Sequence, residues 1–227
     1  MLVSEMSIGE NLSRVRERIA AACGRAGRSP DEVTLVGVSK GLQPEAAEEA
    51  CAAGLRDVGE NRVQEAVRKM EALAGMSTPP RWHLVGHLQT NKAKTAAGLF
   101  AIIHSVDSVR LAQALSRYAR EPVPVLVEVN VAQEAGKFGF APNEVASVLP
   151  DIAVLPGLDV RGLMTVAPMV QNPETVRPVF RRLRELRDAH GLRELSMGMT
   201  DDFEVAIEEG ATLVRLGRAV FGPRPER

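Results

Sequence analysis

Lys40 ends an apolar run, Val33 to Lys40, that reads Val-Thr-Leu-Val-Gly-Val-Ser-Lys. Period two along a strand puts it on the face of Val36 and Val38. If that face points into a closed sheet, the ammonium loses part of its water and its pKa falls. The neutral amine can then attack an aldehyde and form an imine. The competing reading is a lysine that simply ends its strand in water. A second group lies far along the chain, where Ser196-Met197-Gly198-Met199-Thr200-Asp201-Asp202 offers a hydroxyl, a glycine turn and a helix start near Asp201. Those are the parts of an anion site, or else of a plain strand-to-helix turn that Asp201 caps. Gly217-Arg218 supplies another such turn. Charge-assisted hydrogen bonds contribute roughly 1.5–3 kcal/mol each, so several would hold a phosphate without a covalent bond. Arg215 shares the face of Leu213 and Gly217. Buried and unpaired, an arginine is very costly, so it must meet a carboxylate, an anion or a ring acceptor.

Other chemistries fit less well. His83 and His87 stand four apart, but on a strand and its following turn, and no cysteine or acidic cluster completes a zinc set. No Ser-His-Asp or Cys-His arrangement suggests a hydrolase. Gly37 and Gly41 lack the third glycine and the opening helix of a dinucleotide fingerprint.

The elements that must position these groups alternate. An amphipathic helix is expected at about 8–26, followed by strands at 33–40, 55–60, 81–87, 101–106, 123–131, 158–166, 194–199 and 212–217. The strands lack clean polar alternation, as strands covered on both faces do. Helix formers lie between them, as at Glu45 to Ala53, Arg62 to Leu73 and Val176 to Ala189. Pro44 suits a first helical turn and Asp201 an N-cap, while Gly54 and Gly210 suit helix C-termini. Eight alternations predict an α/β fold, a single (β/α)8 TIM-type barrel with an extra N-terminal helix, one domain over residues 1–227. The N-terminal helix is expected to cover the sector that a long final helix would otherwise cover. In such a barrel the chemistry gathers at the C-terminal ends of the strands.

Composition narrows the partners. The chain has 227 residues and a formal net charge of −1, which gives no electrostatic reason to expect nucleic acid or an anionic membrane. Its basic cluster, Arg181-Arg182-Leu183-Arg184, is interleaved with Glu185 and Asp188. Cys23 and Cys51 fit reduced thiols of a cytoplasmic protein. Residues 1–6 have no secretory pattern, and no apolar run reaches the roughly 20 residues of a membrane span. A monomer is expected.

Several stretches, in order along nearly the whole chain, resemble the family of pyridoxal-phosphate homeostasis proteins. They are Val38-Ser39-Lys40, Gly59-Glu60-Asn61-Arg62-Val63-Gln64-Glu65, His83 to Lys92, Lys137-Phe138-Gly139-Phe140, Arg161 to Met164, Leu195 to Asp202, and Val214 to Gly222. The family's fold is similar to the N-terminal barrel of alanine racemase. The resemblance implies that Lys40 holds pyridoxal 5'-phosphate as an internal aldimine. It implies that Ser196, Gly198, Gly217 and Arg218 surround the phosphate, that Arg215 faces the pyridine nitrogen, and that Asn61 lies beside the ring. Arg218 departs from the serine or threonine that the family often carries, so its backbone N–H remains but the hydroxyl contact is lost.

The function this implies is intracellular cofactor homeostasis, by reversible binding and delivery, with apo pyridoxal-phosphate enzymes as possible acceptors. A fast enzyme is not expected. An arginine at the ring nitrogen cannot accept its proton, so the electron sink is weakened. Racemisation needs a second base, and the sole tyrosine, Tyr118, falls on an expected outer helix. A one-domain racemase of relaxed specificity is the alternative.

Overall fold

Strands covered on both faces need neighbours on both edges, and here the sheet closes on itself. In the computed structural model, which describes residues 6–223, the strands are β1 (Thr34–Val38), β2 (Asp57–Glu60), β3 (Arg81–Leu84), β4 (Ile102–Val106), β5 (Val123–Glu128), β6 (Leu158–Met164), β7 (Glu194–Ser196) and β8 (Leu213–Leu216). All pair in parallel in chain order, and β8 returns to β1 to close the barrel. The helices are α1 (Ile8–Arg25), α2 (Pro44–Ala52), α3 (Val63–Ala72), α4 (Ala93–Ala96), α5 (Val109–Tyr118), α6 (Val145–Ala153), α7 (Arg177–Ala189), α8 (Phe203–Glu208) and α9 (Arg218–Phe221). The leader reading of residues 1–6 falls, but for Met6, outside the described residues. Among those described, no helix is long and apolar enough to cross a membrane.

All eight expected strands are present. The ladders of β1, β3, β5, β6 and β7 stop two or three residues before their expected ends. Beyond the strand ends the neighbours are still bonded for a residue or two: the Ser39 N–H donates to the Gly59 carbonyl (3.1 Å), the Met197 N–H to the Leu213 carbonyl (3.1 Å) and the Arg215 N–H to the Gly198 carbonyl (3.0 Å). Inside the barrel, Val36, Ile102, Leu126, Met164 and Leu213 form one apolar cluster, and the alternate residues face the helices. Pro44 opens α2, and Gly54 and Gly210 follow their helices at φ of 90° and 100°. The expected cap at Asp201 is corrected: Asp202 holds the N-cap position of α8. Its Oδ1 accepts from the Met199 N–H (2.6 Å), which tightens the turn before the helix, and Asp201 turns outward to Arg218.

Ser7 and Glu10 begin α1 with reciprocal side-chain-to-backbone bonds. The helix then buries Leu12, Val15, Ile19, Ala22 and Cys23. It lies against α8 and the single-turn α9, tied by Asn11 Nδ2 to the Val220 carbonyl (3.2 Å) and by Arg18 to Glu204 (3.1 Å). The expected substitution of α1 for a long last helix is what the fold shows.

One polar knot lies between the barrel wall and α3. Ser39 and Glu60 are fully buried and Lys69 is 3% exposed. Lys69 Nζ donates to Glu60 Oε1 (2.6 Å) and to the Ser39 carbonyl (2.6 Å), while Ser39 Oγ donates to the same Glu60 oxygen (2.5 Å). Glu65, one turn before Lys69, accepts from the Gly41 N–H (2.5 Å). Both peptide units flanking Lys40 are thereby fixed from α3. Burial raises the Glu60 pKa, and Lys69 pulls against it.

Breaking a buried pair leaves an uncompensated charge and costs roughly 3–5 kcal/mol. Lys69→Met is expected to lose about that much in chemical denaturation at neutral pH. A raised folded-state pKa stabilises below the unfolded value and loses that contribution as pH rises through the folded one. The deficit of Lys69→Met relative to the parent should therefore narrow on acidification, as Glu60 takes up a proton.

Candidate functional site

The C-terminal ends of β1, β2, β7 and β8 bring the expected residues to one end of the barrel. Lys40 is half-buried and immediately follows the Ser39 peptide that Lys69 holds. Val36 lies opposite Arg215 in the ladder between β1 and β8. A Cβ added to Gly217 would stand 3.5 Å from the Val38 carbonyl oxygen, so the turn after β8 lies against the end of β1, two residues before Lys40. Asn61 closes β2, and the end of β3 comes close enough that a Cβ at Gly86 would meet the Asn61 carbonyl oxygen at 2.6 Å. Ser105 Oγ holds the Gly86 carbonyl from β4 (2.7 Å).

The turn after β7 requires its glycine. Gly198 has φ of 92°, and a Cβ there would stand 2.7 Å from Ala206 Cβ and 2.9 Å from Phe203 Cα. The turns after β7 and β8 touch where the Ala219 N–H reaches Thr200 Oγ1 (3.4 Å). Thr200 was missed as a site residue, although it stands in the motif, four residues after Ser196. Arg218 donates to Asp201 (2.5 Å), both side chains being more than half exposed. Its guanidinium thus forms part of the outer rim, and any inward contribution at this position comes from its backbone.

Arg215 faces inward as expected and is 5% exposed. Of the partners left open by the sequence, no carboxylate bonds it directly among the described residues. Nη1 donates to Ser196 Oγ (2.5 Å) and Nη2 to the Thr165 carbonyl (2.8 Å). Burial lowers its pKa to about 10, while Glu128 and Asp202 favour its charge. Ser196, also fully buried, has His104 Nδ1 as its other partner at 2.8 Å. The sequence reading directed this hydroxyl to the anion; in the structure it serves Arg215 and His104. Glu128 was also missed. It shares the inward face with Leu126 by period two, and burial, with help from Asp107, raises its pKa to about 7.

The histidines separate. His83 lies inside the barrel between Asp57 and His104. His87 lies at the surface, stacked on Phe138 with centroids 3.7 Å apart, and contacts Asp107. Among the described residues no three His, Cys, Asp or Glu side chains gather as metal ligands would. One cavity, about 670 Å³, adjoins Asn61 and is lined by Arg62, Gln64, Arg68, His87 and Lys92. A second, about 380 Å³, is lined by Asp57, Arg81, His83, Arg161 and Glu194 at the N-terminal ends of the strands.

With an amine at one strand end, a glycine turn beside it and a buried cation below, the mouth suits a small aldehyde carrying an anionic group. Comparison with known proteins agrees with that chemistry. The family model described as alanine racemase, N-terminal domain, matches residues 11–225. A pyridoxal phosphate homeostasis protein of Aquifex aeolicus is 47% identical, over 96% of this chain and 99% of its own. One of Pseudomonas aeruginosa is 44% identical, over 96% of each chain. The structure of PipY from Synechococcus elongatus with pyridoxal phosphate bound superposes with a TM-score of 0.82 at 36% identity, covering 95% of this chain and all of that one. The chain belongs to the alanine racemase N-terminal domain family and, within it, to the pyridoxal phosphate homeostasis proteins.

Proposed function

We propose that this chain binds pyridoxal 5'-phosphate through reversible covalent attachment to Lys40, and that it holds and delivers the cofactor more than it uses it. The observation that carries this reading is the closing register of the barrel. It sets the Lys40 turn, the Gly217 turn and buried Arg215 along one seam. The backbone N–H groups at Gly198, Gly217 and Arg218 are assigned to the phosphate, with the Thr200 hydroxyl between the two turns. Ser196 is assigned to the same end through its hold on Arg215. Asn61 is assigned to the ring, and Arg215 to the ring nitrogen.

When bound, the cofactor supplies an electron sink for bonds at an amino-acid α-carbon. Arg215 limits that sink. At neutral pH its guanidinium is charged and donates in every direction, so it offers the ring nitrogen no proton acceptor. Free aldehyde in a cell is reactive, and a protein with an exchangeable amine and a phosphate cradle buffers it. Cytoplasmic location, a monomeric state and apo enzymes as recipients belong to this proposal.

Glu128 favours a second reading. A carboxyl group that titrates at about 7 and acts electrostatically on Arg215 has the proton affinity of an acid–base catalyst. On that reading the chain is a one-domain amino-acid racemase of relaxed specificity.

Mixing the cofactor-free protein with pyridoxal phosphate is expected to give a visible absorption band absent in Lys40→Ala. Borohydride should fix one cofactor to Lys40, read as a mass increase on its peptide. Protein that gives neither signal would end the binding proposal. Deuterium exchange at the α-carbon of added amino acids separates the two readings. Rates far below the enzyme range of about 1–1000 per second are expected. Rates within that range, lost in Glu128→Gln, would establish the racemase.

A further inference from the structure

A line of polar side chains crosses the barrel interior from Arg215 to the opposite end. Arg215 Nη1 bonds Ser196 Oγ (2.5 Å), Ser196 Oγ meets His104 Nδ1 (2.8 Å), and His104 Nε2 meets His83 Nδ1 (2.9 Å). His83 Nε2 then meets Asp57 Oδ1 (2.9 Å), and Arg81 donates to Asp57 Oδ2 (2.7 Å). Ser196, His104, His83 and Arg215 are all 5% exposed or less.

The direction of every proton in this line follows from its first member. Arginine only donates, so the Ser196 oxygen accepts from it. The only other partner of that hydroxyl among the described residues is His104 Nδ1, which must therefore accept the serine proton. Burial, with the charge of Arg215 adding to it, holds the His104 pKa well below the ordinary value. His104 is thus neutral and carries its one proton on Nε2. That proton goes to His83 Nδ1, which leaves the His83 proton on Nε2, aimed at Asp57. Burial works against the charge of Asp57, but the bonds from His83 and Arg81 hold its pKa below the ordinary value. The line therefore runs one way, from a buried cation to a carboxylate at the far cavity, with every donor matched to one acceptor.

We propose that Asp57, His83 and His104 are positioning residues for Arg215. Their aligned bonds carry the counter-charge of Asp57 through the barrel and keep the Ser196 oxygen turned toward the guanidinium. The approximately 380 Å³ cavity lined by Asp57, Arg81 and His83 then becomes a place from which the state of Arg215 is set at a distance. The consequence for bound cofactor rests on the assignment of Arg215 to the ring nitrogen; the bond pattern itself does not.

Nitrogen-15 NMR of histidine-labelled, cofactor-free protein tests the pattern. Both His83 and His104 are expected as the Nε2–H tautomer in the parent. In Asp57→Asn, Arg81 keeps the amide oxygen and the amide NH₂ faces His83. His83 must then move its proton to Nδ1, which meets the Nε2–H of His104, and both tautomers are expected to switch together. Loss of packing alone would lower stability without moving protons. The loaded variant is expected to show a shifted absorption maximum before reduction, and borohydride should still fix its cofactor to Lys40. An Nδ1–H tautomer or a doubly protonated ring at either histidine in the parent would overturn the proposal, whether or not the variant folds. So would a variant in which His104 stays unchanged. A parent that never attaches cofactor to Lys40 would instead defeat the cofactor reading and leave the NMR result standing.

Discussion

Barrel closure places Val36 opposite Arg215, and the site depends on that register. The partners are separated by most of the chain. Entropy makes such long-range pairings expensive to nucleate. Once made, the register cannot slip: a one-residue shift would turn Arg215 out among the helices and bring Val214 into the interior. The turn after β1 and the turn after β8 meet because of this one pairing.

Closure creates a second demand, which is to keep a guanidinium inside the barrel. No carboxylate forms an ion pair with Arg215 among the described residues; a hydroxyl and a carbonyl accept from it directly. Glu128 and Asp202 contribute by charge at longer range. The guanidinium is thus held by neutral acceptors. Its stabilisation is passed along the interior instead, through polar residues at inward positions of β2, β3, β4 and β7.

Much of the architecture was legible because parallel strands covered on both faces read as apolar runs, and eight of them alternate with helices. What the pattern could not show was where each ladder stops. β7 is assigned only over Glu194–Ser196, so Met197 to Met199 continue the apolar run beyond the strand. The inward face of Arg215 followed from period two. The partner of Ser196 did not, because it depends on His104, which lies 92 residues away and reads as one polar residue in Ile-Ile-His-Ser-Val. Glu128 was hidden for the same reason: a glutamate that ends a strand looks solvated until the depth of its neighbours is known. Asp201 and Asp202 are adjacent and chemically alike, and only the fold of the turn separates the rim residue from the one that faces in.

The alternation that hides these roles also divides the labour at the mouth. At the ends of β1 and β2, the residues facing the helices are Ser39 and Glu60, and they join Lys69 in a buried knot. The residues facing the interior are Val38 and Gly59, the latter so close to Val36 and Val38 that a Cβ would crowd both. Backbone position is thus secured from outside the barrel, while the inner face stays small. A lysine held in this way gains a fixed origin without a rigid side chain. That combination suits an amine that must reach a ligand, bond to it and release it again. The helix-side knot and the interior line of histidines never meet, so anchoring Lys40 and charging Arg215 are separate tasks, each served by residues of opposite strand parity.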